Sequence, residues 1–367
     1  MKTSLCELLG IELPIVQAPM AGGITTPELV AAVSSAGALG SFGFAYTQPE
    51  TMQRDAEQVR AHTSAPFCVN FFVAQNTGAI ADALQAAAIT AVAPYYEELG
   101  LRPPQPVRPP FAPDQMAQLD AVEAIRPGVF TFHLGDVPAA RIAALRSQGI
   151  RVGGSATCIA EAKHLAALGV DFVVAQGAEA GGHRGTYLRN PYETMTGTLA
   201  LVRLIVRAVS LPVVAAGGIM DGAGIAAVLA LGAQAAQLGT AFVPCTESGA
   251  SPLHKAALLA ADDDDTLITE KFSGKPARAL ANRYIREMQA TNAEHLAFPA
   301  QNALTAPLRA AAMKANNPEF LSMWAGQAAA LSRQLPAAEL VGMLRAETLE
   351  ALGRLSRLAA PQPGITR

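Results

Sequence analysis

"VDFVVAQGAEAGGHRGT", residues 170–186, starts as an apolar run interrupted only by Asp171 and then opens into a loop with four glycines around one glutamate, one histidine and one arginine. A short run that is apolar on both faces is the pattern of a strand in a parallel sheet covered on both sides. A loop poor in side chains at its end lets backbone approach a ligand closely. His183 stands at the centre of that loop, with an ordinary imidazole pKa of about 6.5 suited to proton transfer or to holding an anion.

Seven further runs share the character of the first: "LPIVQAPM" (13–20), "ALGSFG" (38–43), "PFCVNFFV" (66–73), "VFTFHLG" (129–135), "IRVGGSAT" (150–157), "LPVVAAGG" (211–218) and "AQAAQLGTAF" (233–242). Amphipathic segments separate them: "TPELVAAVSSAG" with Thr25 or Thr26 as cap, "PETMQRDAEQVRAH", "PAARIAALRSQG", "AEAKHLAALG", "TLALVRLIVRAV" and "GAGIAAVLALG". In the fifth of these, Leu199, Val202, Ile205, Val206 and Val209 are expected to share one apolar face. Several end in glycine just before the next strand, as a helix C-terminus does. The alternation predicts an α/β fold, a TIM (β/α)8 barrel, over an open doubly wound sheet.

The division expected is a barrel over residues 1–253, interrupted by a proline-rich insertion near 94–113 (ending in "RPPQPVRPPFAP"), followed by a mainly helical C-terminal subdomain and lid over 254–367. "DDDD" at 262–265 reads as a solvated turn rather than a metal site, because adjacent carboxylates repel unless they share a cation. No metal site is expected.

The chain has 51% hydrophobic and 16% charged residues, which excludes a disordered protein and suits buried parallel strands. Its net charge is −3, with the basic residues scattered, so a nucleic-acid partner is not expected and a small-molecule partner is. Cys6, Cys68, Cys158 and Cys245 lie far apart without a CxxC pair, which fits reduced thiols in a cytoplasmic protein. Glu7 and Glu12 interrupt any secretory signal. Residues 222–246 carry no charge, but Gly232, Gln234, Gln237, Gly239 and Pro244 break the stretch, so no membrane span is expected.

Active sites of such barrels lie at the C-terminal ends of the strands. At the ends of the seventh and eighth strands, Gly217, Gly218, Gly239 and Thr240 offer backbone N–H groups and a hydroxyl, and a helix N-terminus follows Asp221; together they predict a phosphate cradle. Gly222, Gly224 and Ala227 spell GxGxxA, but no acidic residue follows at the spacing a dinucleotide fold requires. Pro19, Met20 and Ala21 give a backbone against which a flat ring could lie, and Asn70 and Gln176 end their strands with amides suited to the N–H and C=O edge of a flavin or similar heterocycle. His133, ending the fourth strand, is the second candidate to face the same cavity; His62, His164, His254 and His295 read as surface or packing residues.

"QAPMAGG", "VNFF", "FHLG", "VAQGAEAGGHRGT", "VVAAGGIMDGAGIAAVLALGAQAAQLGTAF", "FSGKPARALANR" and "MWAGQAA" together resemble the nitronate monooxygenases, once called 2-nitropropane dioxygenases, class I most closely, over almost the whole chain. The resemblance implies an FMN-dependent barrel enzyme that oxidises alkyl nitronates, propionate 3-nitronate first among them, with O2 and without NAD(P)H. Carried over by motif, Asn70, Gln176, Gly181, Gly218 and residues 237–240 would hold FMN, and His183 would be the catalytic histidine. Gly182 and Gly217 adjoin those glycines; Gln237 and Leu238 enter through the resemblance alone. Two departures concern the substrate: "VAQNTG" (73–78) stands where related sequences tend to show a histidine and a proline pair, and Phe298 where a tyrosine is common. An NAD(P)H-dependent quinone or enoyl-thioester reductase on the same barrel, a non-catalytic flavin binder and a flavin-free aldolase or isomerase are the alternatives. The last would want a lysine or a carboxylate pair at the strand ends.

Overall fold

The computed structural model describes residues 1–73 and 78–359. Residues 74–77, which hold most of the "VAQNTG" departure, lie outside that set.

Eight parallel strands form the barrel: β1 (Ile15–Gln17), β2 (Gly40–Gly43), β3 (Phe67–Phe72), β4 (Val129–His133), β5 (Arg151–Ala156), β6 (Phe172–Gln176), β8 (Val213–Ala216) and β9 (Ala235–Leu238). They correspond one for one to the eight apolar runs. The ladder runs β1-β9-β8-β6-β5-β4-β3-β2, and parallel bridges Val16–Leu39 and Met20–Phe42 bring β1 back to the β2 side. Helices surround the strands, and the largest apolar cluster lies between helices and sheet, where Phe42, Phe71 and Phe130 are fully buried.

Local chemistry sets the helix starts. Thr26 caps Pro27–Ser35 by accepting from Leu29 N–H, and Asp221 caps Gly222–Ala230 by accepting from Gly224 N–H. Helix Thr198–Ala208 buries Thr198, Leu201, Val202 and Ile205, whereas Leu199 is 70% exposed. The expected face was thus rotated by about one position, since 198, 201, 202 and 205 follow the i, i+3, i+4, i+7 stripe.

Three further strands form a small antiparallel sheet in the order β10-β11-β7: β7 (Gly182–His183), β10 (Thr266–Thr269) and β11 (Ala277–Leu280). The stretch after 254 therefore contains a hairpin as well as helices. Its function in the fold is plain: Ala277 pairs with His183 and Arg278 with Gly182. The "DDDD" run closes a turn just before it, with Asp265 accepting from Asp262 N–H at 2.8 Å.

A second apolar cluster joins helix Asp82–Glu98 to residues of the 243–329 region, including Phe272, Tyr284, Leu304 and Phe320. Helix Asp82–Glu98 continues through Pro94, so the irregular insertion starts later than its prolines suggest. Its Tyr96 hydroxyl donates to the carbonyl of Leu304. The final helix, Ala337–Ala359, returns to the barrel wall, placing Ala337, Leu340, Val341 and Leu344 in the first cluster. No helix among the described residues is long and apolar enough to cross a membrane.

At Gly40 in β2, a Cβ would lie 2.2 Å from the carbonyl oxygen of Val30 on the covering helix. Gly40→Ala is therefore expected to push that helix off the sheet and cost about 2 kcal/mol; a urea midpoint equal to the parent's would contradict this packing.

Candidate active site

The C-terminal ends of the barrel strands open into a cavity of about 640 Å³. The two candidate histidines face it, as do Pro19, Met20, Ala21, Asn70 and Gln176, the glycines Gly181, Gly182, Gly217, Gly218 and Gly239, and also Gln237 and Thr240. Leu238 does not: its side chain is fully buried in the core, and only its carbonyl bears on the rim, accepting from Ala18 N–H at 2.8 Å.

The loop after β6 is fixed from several sides. The Gln176 side chain donates through Nε2 to the carbonyl of His183 at 3.0 Å and accepts at Oε1 from Gly185 N–H at 2.7 Å. One amide thus spans both ends of the turn carrying the histidine, and keeps one N–H and one lone pair for a ligand. Gly185 must lack a side chain, because a Cβ there would come 2.5 Å from Cε1 of His133. Arg184 is buried and donates to the carbonyls of Gln176 and Thr194; Lys275 donates to that of Thr186 at 2.9 Å. The glutamate of the loop, Glu179, accepts from Thr198 N–H and Oγ1–H at 2.8 Å each, capping the next helix rather than facing a substrate.

His183 is 9% exposed, and its Nε2 is buried without a partner among the described residues. Phe72, Phe298 and Trp324 surround the ring, with centroids 5.6, 5.3 and 5.3 Å away. Phe298, the second departure from the family pattern, is therefore a direct neighbour of the histidine. His133 brings its Nε2 within 3.2 Å of the His183 carbonyl, which fixes that nitrogen as the protonated one. Burial first, then the repulsion of His133, Lys275 and Arg309, pushes His183 down to about 3. Burial likewise holds His133 at about 4, outweighing the bond to the His183 carbonyl. Both rings are neutral at physiological pH.

At the β8 and β9 ends, Gly217 and Gly218 take φ of 125° and 68°, conformations open to glycine and rarely to other residues. The N–H groups of Gly218, Gly239 and Thr240 have no acceptor among the described residues. Thr240 Oγ1 accepts from Gly326 N–H at 2.8 Å, which leaves its own proton to donate. The helix N-terminus after Asp221 does not join them: Gly222 N–H goes to Glu347 Oε2 at 2.9 Å, a carboxylate of the final helix that is itself paired with Arg333. The free N–H groups belong to loop backbone, and the helix end is capped within the protein.

Several wall residues were not legible in sequence. His254, expected on a surface or in packing, is buried with its Nε2 3.2 Å from the Trp324 carbonyl, and also faces the cavity. Tyr46 and Ser155 follow or end barrel strands without a motif. Helix Ala300–Lys314 presents Asn302, Ala306, Arg309, Ala310 and Met313, an i, i+4, i+7, i+8, i+11 stripe that could have signalled a common face.

The family model described as nitronate monooxygenase matches residues 2–347. The chain belongs to the nitronate monooxygenase family. It is 42% identical over 362 residues to the nitronate monooxygenase of Paraburkholderia phytofirmans, covering 98% of each chain, and 43% identical over 341 residues to that of Pseudomonas aeruginosa, covering 92% of this chain and 97% of the other. A nitroalkane oxidase from Streptomyces ansochromogenes has a similar structure, with a TM-score of 0.88 at 40% identity over 96% of this chain and 100% of the other. As a member of the nitronate monooxygenase family, the protein is an enzyme, and its barrel is the fold that family uses.

The buried histidines predict an acid-labile fold. In the unfolded chain they take up protons near pH 6.5, whereas His183, His133 and His254 resist until about 3, 4 and 4. Between pH 6.5 and about 4 the unfolded state binds more protons, so stability falls as pH falls, by up to about 1.4 kcal/mol per pH unit for each histidine. Urea midpoints at pH 7 and 5 should differ accordingly, and His183→Asn should flatten the slope; equal midpoints would contradict neutral burial.

Proposed function

We propose that the protein binds FMN in this cavity and oxidises alkyl nitronates, propionate 3-nitronate among them, with O2, giving a carbonyl product and nitrogen oxyanions. One observation carries the proposal: His183, an uncharged imidazole whose buried Nε2 has no partner among the described residues, lines a cavity whose rim at β8 and β9 holds free backbone N–H groups.

The residues fit the coenzyme. Its phosphate would take the amides of Gly218, Gly239 and Thr240 with the Thr240 hydroxyl, in a cradle made without cationic side chains. Its ring would lie against the Pro19–Ala21 backbone, with amides from Asn70, Gln176 and Gln237 at its polar edge. Asn70 donates one N–H to Thr131 Oγ1 at 2.9 Å and retains its carbonyl oxygen; Gln237 has no side-chain partner among the described residues. The cavity volume lies within the roughly 300–1,000 Å³ typical of cofactor and ligand sites. When bound, FMN supplies the electron-accepting chemistry that no side chain here can provide.

The chain's own groups decide which substrate form is taken. Lys275, Arg184 and Arg309 are at least partly buried; Glu161 acts on the first two, with Glu270 on Lys275 and Glu179 on Arg184, but none of these carboxylates is within salt-bridge distance, and only tyrosines act on Arg309. Their field favours an anion, and His183 can donate one hydrogen bond to a nitro oxygen and fix its orientation. A base held near 3 abstracts protons weakly, so an already ionised nitronate suits the site better than a neutral nitroalkane. Phe72, Phe298 and Trp324 exclude water around that oxygen.

The purified protein should be yellow, and anaerobic propionate 3-nitronate should bleach it while NADH does not; bleaching by NADH alone would instead support the reductase alternative. His183→Asn should retain flavin yet lose about 100-fold or more in kcat/KM, and undiminished turnover by that variant would remove His183 from the mechanism. With the wild type at pH 6, ethyl nitronate should be consumed about 100-fold faster than nitroethane. Equal rates would mean that the imidazole is a competent base.

A further inference from the structure

The proline-rich insertion is a sequence motif that the active site leaves unused, since none of residues 101–113 lines the cavity. Prolines stand at 103, 104, 106, 109 and 110. Each fixes its own φ at about −65° and drives the residue before it into extended backbone. Residues 102–109 therefore run close to a polyproline II helix, which repeats every three residues and makes no internal backbone hydrogen bonds. The burial of the segment has that period. Pro104 is buried and Leu101 and Val107 are half-buried, whereas residues 102, 103, 105, 106, 108 and 109 are all exposed. Leu101 and Val107 pack against the second apolar cluster, and Val107 N–H donates to Oε1 of Gln85, on helix Asp82–Glu98, at 2.8 Å.

One edge of the segment, 101, 104 and 107, is thus tied to the protein, and two edges are left to solvent. Pro103, Pro106 and Pro109 form the first, Arg102, Gln105 and Arg108 the second. The charge of the segment is unlike that of the chain: residues 99–113 hold both arginines and no acidic residue, in a protein of net charge −3. The arginines that form ion pairs among the described residues are others, such as Arg141, Arg146, Arg283 and Arg333, so Arg102 and Arg108 are uncompensated. Gln105 Nε2 donates to the Pro103 carbonyl at 3.1 Å, and no other donor among the described residues reaches a carbonyl of 102–109. A strap held in this way is ordered before anything meets it, so little conformational entropy is lost on docking.

We propose that residues 102–109 are a docking strap for a partner protein whose surface carries a groove lined by aromatic side chains with carboxylates at one end. Pro103 and Pro106 fill the slots between the rings, ring N–H or O–H groups of the groove donate to the open carbonyls, and Arg108 pairs with the carboxylates. This is the recognition mode of Pro-x-x-Pro segments, in which two edges of the helix meet the groove and the third faces away. Here the third edge is the one already packed on helix Asp82–Glu98 and its cluster. The contact is small, so the complex is transient. It is independent of the flavin and nitronate reading, because the strap takes no part in the cavity.

The probe is an isolated SH3 domain that selects Pro-x-x-Pro-x-Arg peptides, titrated calorimetrically against the full chain. Saturable one-to-one binding is expected. Arg108→Ala should weaken it by about 10-fold, and Pro103→Ala combined with Pro106→Ala should abolish it, whereas Arg102→Ala, outside the motif, should change it little. All four positions are exposed, and unchanged urea midpoints exclude unfolding as the cause of any loss. No binding at about 1 mM domain would overturn the proposal. So would binding that falls equally with either arginine and ignores the prolines, which is plain charge attraction. Capture of the wild type by phosphatidylglycerol vesicles, with no binding to the domain, would assign the arginines to a lipid surface and overturn it as well.

Discussion

The Gln176 amide, bonded at one end to the His183 carbonyl and at the other to Gly185 N–H, is the contact on which the site depends. It converts a glycine-rich loop, which would otherwise sample many conformations, into a turn of fixed shape rooted in a barrel strand. The neighbouring constraints point the same way. Arg184 ties the loop to strand-end carbonyls, Glu179 anchors its first half to a helix N-terminus, and β11 holds Gly182 and His183 as strand residues. The imidazole is therefore placed before any ligand arrives, which is what a group acting on a developing charge requires.

Electrostatics follows from that placement. Sealing two histidines among aromatic rings and beside Lys275, Arg184 and Arg309 makes their protonation unfavourable, and the same arrangement makes an incoming anion favourable. Burial lowers the pKa of these three cations as well as of the histidines, and it is the ligand-facing ring that is left neutral. In the proposed reading, such a site takes a substrate already ionised and does little to ionise one. In the same reading, the free amides at β8 and β9 take a second anion, the coenzyme phosphate, by backbone geometry alone.

The barrel was legible because each strand is buried on both faces and so appears as a continuous apolar run, from "LPIVQAPM" to "AQAAQLGTAF". The residues at the strand ends could be located by the same reasoning. The β10–β11 hairpin was not: "TLIT" and "ARAL" are four residues each, and their pairing depends on β7, a two-residue strand that no local pattern encodes. Helix Asp82–Glu98 passed through Pro94 because packing against the Ala300–Lys314 helix outweighs the lost hydrogen bond. The helix end at Gly222 promised a phosphate contact, and only the distant Glu347 reveals that it is already capped. Arg309 and Tyr46 were hidden for the same reason: one comes from the second apolar cluster, the other from the β2 rim, and neither lies in a motif.

The most direct measurement is a crystal structure of the flavin-loaded protein with a non-reacting nitroalkane acid bound. The account predicts the coenzyme phosphate on the amides of Gly218, Gly239 and Thr240, and His183 Nε2 about 3 Å from a nitro oxygen above the ring. A phosphate held elsewhere, or an imidazole turned away from both ring and nitro group, would contradict it.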